Sequence, residues 1–113
     1  MLGGLEGRLL DVIVLPSGKR VPGVVPDVRG IQRPALGIEE GKMVQNDLHS
    51  LDVYWIAGPN YHPEHLEIYR RFLDDTFFHE LEIRMHQVER IEPEPNGKVR
   101  YCISRVAQAE ARG

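Results

Sequence analysis

Residues 63–78 carry the feature that most constrains this chain. Leu66, Tyr69, Phe72, Leu73, Thr76 and Phe77 recur at three- and four-residue steps and form one apolar stripe, as in a helix that buries one face. Pro63 opens the segment where a missing N–H costs nothing, and Glu64 complements the positive helix end. On either side the period drops to two. Before the helix, Leu51, Val53, Trp55 and Ala57 alternate with Asp52, Tyr54 and Ile56. After it, Leu81, Ile83 and Met85 alternate with Glu82, Arg84 and His86. A helix with one apolar stripe and strands with one apolar face bury both only by packing together. The expected class is α+β.

The remaining segments fill out this frame. Asp11-Val12-Ile13-Val14-Leu15 is β-branched and apolar, Pro16-Ser17-Gly18 turns the chain, and Lys19-Arg20-Val21 returns, which signals a β-hairpin. Pro22, Pro26 and Pro34 restrict any helix between Val24 and Gly30 to a short one. A strand near Lys42–Asp47 is joined to Leu51–Ala57 through Leu48-His49-Ser50, and Gly58-Pro59-Asn60 closes the second strand. Pro93 to Gly97 reads as loop, Val99–Val106 as a last short strand, and Ala107–Gly113 as a frayed tail. This order predicts a small antiparallel sheet with helices on one face, preceded by a short β-hairpin.

Composition narrows the function classes. At 113 residues the chain is one domain, with little left over to enclose a large substrate pocket. A net charge of −3 argues against binding the phosphate backbone of nucleic acid, which needs clustered excess Lys and Arg. No stretch approaches the ~20 apolar residues needed to span a bilayer. Met1-Leu2-Gly3-Gly4 has no basic region followed by an apolar run, so the expected location is cytoplasmic, away from membranes. Cys102 is the single cysteine, which leaves no internal disulfide and no cysteine metal cluster.

Few residues could run chemistry. Gly18-Lys19 and Gly41-Lys42 lack both the upstream glycine of a phosphate loop and the following Ser or Thr that would bind magnesium, so both read as turns. His79-Glu80-Leu81-Glu82-Ile83 begins like a zinc-protease helix but has no second histidine one turn on. His62 and His65 near a helix start are expected to satisfy free backbone N–H groups. A metal site there would need a further carboxylate, and none is assigned. Asp47, His49 and Asp52 crowd one turn and could form a carboxylate–histidine pair, although polar turn residues are expected there anyway. Cys102 has no firm neighbour to activate it as a nucleophile. Trp55, Phe72 and Phe77 are expected in the core.

Lys98 stands at the tip of a turn, Glu94-Pro95-Asn96-Gly97-Lys98-Val99-Arg100. Taken alone, a lysine after Asn-Gly is ordinarily a solvated charge. Two segments at opposite ends of the chain add to that reading. The run from Glu6 through Gly7-Arg8-Leu9-Leu10-Asp11 to Val21 resembles the hinge motif and first hairpin of adenylate-forming enzymes. Ile91 to Arg100 resembles their C-terminal lysine motif, and Ile103-Ser104-Arg105-Val106 continues the similarity. The chain is most similar to the C-terminal lid domain of the phenylacetate–coenzyme A ligase family, over about residues 6 to 106.

The resemblance implies residues 1–10 as leader and hinge, 11–106 as the lid, and a large N-terminal adenylation domain as partner. ATP and Mg2+ would be held mainly by that domain, with a carboxylic acid, aryl acids included, as substrate and coenzyme A or pantetheine as acceptor. Lys98 matches the catalytic lysine, positioned by Gly97. Arg8 matches an arginine that approaches the nucleotide ribose, and Leu10 and Asp11 fall at the hinge, where the family usually has a charged residue in the position of Leu10. The large domain has no counterpart here, so the expectation is a piece of a longer enzyme or a separately encoded lid, inactive alone. The alternative is a stand-alone ligand-sensing or protein-interaction module, a homodimer included.

Overall fold

The computed structural model describes residues 11–23, 36–93 and 101–112. Strands β1 (Val12–Val14) and β2 (Arg20–Pro22) form the expected hairpin, Val12 opposite Pro22 and Val14 opposite Arg20. Strands β3 (Ile38–Asp47), β4 (Ser50–Ala57), β5 (Glu82–Gln87) and β6 (Cys102–Ser104) form a four-stranded sheet in the order β5-β4-β3-β6. Helix α1 spans Pro63–Thr76, and helix α2 spans Arg105–Arg112. The class is α+β, as the periodicities require.

The direction of the edge strands differs from the sequence expectation. Only the central pair β3–β4 is antiparallel; β5 runs parallel to β4 and β6 parallel to β3. Antiparallel neighbours can share a tight turn, but parallel ones need a crossover of a dozen or more residues. The stretch between β4 and β5 contains α1, which supplies that crossover, so strand–helix–strand here means parallel pairing. A second difference lies at the C-terminus. Residues expected as strand and frayed tail instead form α2 from Arg105 onward, with the strand confined to Cys102–Ser104.

The register divides the sheet into two faces. Met43, Val53 and Met85 share a row on the inner face, with Leu51, Trp55 and Cys102 on the same side. Tyr69, Leu73 and Phe77 of α1 and Ile13, Leu15 and Val21 of the hairpin join these residues in one core. Leu51, Val53, Leu73 and Phe77 have no accessible surface. Trp55 is buried and packs against Tyr61 with ring centroids 4.9 Å apart, while Phe72 is partly buried at the edge of the cluster. No helix among the described residues is long and apolar enough to cross a membrane.

Helix α1 begins and ends without side-chain caps of the expected kind. His62 is its extended N-cap residue but makes no capping hydrogen bond, and His65 Nδ1 instead faces the Leu36 carbonyl at 3.2 Å. At the other end Phe78 and His79 both take positive φ, 59° and 60°, an uncommon region for residues with side chains. His79 N–H returns to the Asp74 carbonyl at 2.9 Å, closing the helix, and the chain reverses so that Leu81 re-enters the core. The hairpin tip seals this turn. Ser17 donates its N–H and hydroxyl to the two Glu80 oxygens at 2.8 and 2.7 Å, and Lys19 Nζ sits 4.2 Å from the Phe78 ring centroid.

Candidate functional site

Of the residues expected at the hinge and the reaction centre, Asp11 lies among the described residues, whereas Arg8, Leu10, Gly97 and Lys98 lie outside them. Asp11 is bound to the body of the domain. Its N–H donates to the Cys102 carbonyl at 3.0 Å, and its carbonyl accepts from Gly23 N–H at 2.9 Å. Its Oδ2 accepts the Ser104 N–H at 3.0 Å and the Gln108 side-chain amide at 3.1 Å. One residue thus ties the start of β1 to β2, β6 and α2.

Ser104 and Gln45 extend the same network inward. Ser104 Oγ accepts the Ala107 N–H at 3.1 Å, the geometry of a serine N-cap, and donates to Gln45 Oε1 at 2.7 Å. Gln45 is fully buried in β3. Its Oε1 also accepts the Val14 N–H at 3.0 Å, and its Nε2 donates to the Val14 carbonyl at 2.6 Å. Arg20 forms an ion pair with Glu110 across the hairpin and α2. The first hairpin is therefore fastened to the sheet by backbone and carboxamide groups.

Sequence reasoning missed Gln45 and Ser104. A glutamine in a strand that also carries Glu39, Glu40, Lys42, Asn46 and Asp47, and a serine five residues after Val99, carry no signal of burial. Only the approach of the hairpin makes them partners.

The other candidates resolve into structural roles. Asp47 and His49 do not pair through the imidazole. Asp47 accepts the His49 N–H at 2.9 Å and the Ser50 hydroxyl at 2.8 Å, and these bonds hold its carboxyl below the usual range. Asp52 pairs instead with His86 Nε2 at 2.8 Å across the neighbouring strand. His62 and His65 stack edge to face at 5.3 Å. The one cluster of three possible metal ligands among the described residues is Asp74, Asp75 and His79. There both imidazole nitrogens are taken up, Nδ1 by Asp74 at 2.6 Å and Nε2 by Asp75 at 3.2 Å. Cys102 is buried, with Sγ 3.5 Å from the Asp11 carbonyl. Gly18-Lys19 is a turn, but Gly41-Lys42 lies in the middle of β3, opposite Trp55 and Tyr54.

The outer face of the sheet carries the remaining polar chemistry. Lys42, Tyr54 and His86 form one row across β3, β4 and β5, and Tyr54 stacks on His86 with centroids 5.0 Å apart at 23°. Beside them lies a groove of 220 Å³ walled by Val44, Val88 and Ile91.

These elements define a small α+β domain whose first hairpin is locked onto its sheet. The chain matches the family described as the CapK C-terminal domain over residues 26–105, and it belongs to that family. By that description, domains of this kind are the C-terminal part of a larger protein. Comparisons with curated proteins and with solved structures find no match.

Proposed function

We propose that this chain is the C-terminal lid of an acid–thiol ligase of the adenylate-forming kind, resembling phenylacetate–coenzyme A ligases. The observation that carries the reading is membership of a C-terminal-domain family across residues 26–105, a span that includes the Lys98 turn. The anchoring of Asp11 supports it, because a lid that rotates as a rigid body needs its first hairpin fixed to its core. The overall reaction would join an acid and a thiol into a thioester, with ATP converted to AMP and pyrophosphate.

The described residues do not fit a nucleotide–magnesium site. Their three-ligand cluster, Asp74, Asp75 and His79, is already satisfied internally. On the resemblance to the ligase family, ATP, Mg2+ and the acid are held mainly by a large N-terminal domain of a cytoplasmic enzyme. This chain contributes position and charge. Lys98 supplies an ammonium to the negative charge that develops between carboxylate and phosphate, a term that is large only in a dry, preorganised cleft. Arg8 approaches the ribose, and the pivot at Leu10 lets the lid turn to admit coenzyme A or pantetheine.

The test is pyrophosphate release with ATP, magnesium and aryl acids. The purified chain alone releases none. Added to a lidless large domain it restores release, and Lys98→Ala abolishes that release while leaving the fold and the binding of the two domains nearly intact. Robust release by the chain alone sinks the reading. A stand-alone sensing module, favoured by the outer-face groove, would be indifferent to Lys98.

A further inference from the structure

Lysine in the middle of a central strand is unusual enough to need a reason, since strands favour β-branched and aromatic residues there. Lys42 is half-buried on the outer face of β3, beside buried Val44 and opposite Tyr54. Among the described residues, the carboxylates on this face and beside the groove are engaged elsewhere. Glu40 accepts the Tyr101 hydroxyl at 3.0 Å. Asp52 is held by His86 at 2.8 Å and by Asn46 at 3.3 Å. Glu92 is forked by Arg90 at 3.0 and 3.2 Å. Among the described residues the Lys42 ammonium has neither an ion pair nor a hydrogen bond.

Lys42 shares the lining of the 220 Å³ groove with Val44, Tyr54, Val88 and Ile91 and with the Arg90–Glu92 ion pair. The lining combines apolar surface with one uncompensated cation, the composition of a site for an anion on an apolar body. Drug-sized ligands occupy pockets of roughly 300–1,000 Å³, so this groove takes something smaller. A bare inorganic anion would leave the valine, isoleucine and tyrosine surface wet. An apolar molecule without charge would leave the ammonium uncompensated.

We propose that this groove binds a small organic carboxylate, with one ring or a short acyl chain on Val44, Val88 and Ile91 and its carboxylate on Lys42. The site lies wholly on this domain and goes beyond the lid reading: it is separate from the acyl pocket assigned to the large domain, and it needs no ATP.

The experiment is an NMR titration of the chain with phenylacetate, following the methyl signals of Val44, Val88 and Ile91. These signals shift saturably in the millimolar range. Lys42→Gln weakens the affinity roughly tenfold or more, the value of one charge-assisted hydrogen bond. Lys42→Arg retains most of it, and Lys19→Gln, which removes the same charge elsewhere, changes nothing. Phenylacetamide, with the same body and no charge, binds about tenfold or more weakly. The proposal is overturned if the three signals do not shift saturably, or if Lys42→Gln binds as the unaltered chain does. Acetate or inorganic phosphate shifting them as strongly as phenylacetate also overturns it, because the apolar walls would then contribute nothing. The titration needs no partner domain, so its failure and the failure of the lid reading are independent.

Discussion

The Gln45 carboxamide pairs with both backbone groups of Val14, accepting its N–H at 3.0 Å and donating to its carbonyl at 2.6 Å, as a neighbouring strand would. A side chain thus stands in for a backbone ladder between the hairpin and the four-stranded sheet, beside the backbone bond from Asp11 to Cys102. It does so where water is excluded, so any unmet partner costs its full desolvation.

Removing that carboxamide should destabilise the whole domain. Gln45→Leu leaves the Val14 N–H and carbonyl buried without partners and deprives Ser104 Oγ of its acceptor. The expected loss is about 2–4 kcal/mol, at about 1–3 kcal/mol for each buried unsatisfied group with partial relaxation. Urea unfolding followed by circular dichroism measures it. A change below about 0.5 kcal/mol, the range of ordinary surface substitutions, would mean the clamp contributes little.

Asp11→Ala should act locally before it acts globally. It removes the carboxylate that accepts the Ser104 N–H and the Gln108 amide, so α2 and β6 loosen first. The expected cost is about 1–2 kcal/mol, similar to loss of a helix cap. Hydrogen exchange at the Ser104 amide should accelerate more than exchange at Leu51 or Val53. Equal acceleration at all three would contradict the local role.

His79 should make stability depend on pH in one direction. Its hydrogen bond to Asp74, then the charges of Asp74 and Asp75, raise its affinity for a proton above the ordinary value near 6.5. Because the folded state favours the protonated imidazole, the contribution is fully present below the unfolded value. It is lost as pH rises through the raised folded value. NMR titration of the His79 ring checks the direction, and Asp74→Asn should bring the midpoint back toward 6.5. A midpoint unchanged by Asp74→Asn would refute the assignment.

Two glycines at positive φ separate strain from collision. Gly18, at φ 94°, has open space where a Cβ would project, so Gly18→Ala costs about 1–2 kcal/mol of backbone strain. Gly37, at φ 76°, would place a Cβ 2.4 Å from the Tyr61 backbone, which cannot move aside as a flexible side chain does. Gly37→Ala should cost at least about 3 kcal/mol, visible as a much larger fall in melting temperature.

Much of the fold was legible in the residues because periodicity reports which face an element buries. Leu66 to Phe77 announced α1, and alternation around Trp55 and Ile83 announced β4 and β5. The parallel edges were not legible from alternation, which is the same in either direction. The parallel β4–β5 pairing follows from the length of the α1 crossover. The tail was misread because Ala107 to Arg112 has little apolar character of its own. Its helix is held by Ser104, Asp11 and the Arg20–Glu110 pair, partners that are distant in sequence.

The same division runs through the candidate site. The sequence by itself determined the α+β class and the hairpin, because spacing and turn chemistry are local properties of a chain. Tertiary structure alone decided that the Asp11 carboxylate holds the Ser104 N–H and the Gln108 amide. It also decided that His86, not His49, pairs with Asp52, and that Lys42 is a strand residue with no counter-charge among the described residues. Pairing and burial depend on which segments meet, and that is settled only when the sheet closes.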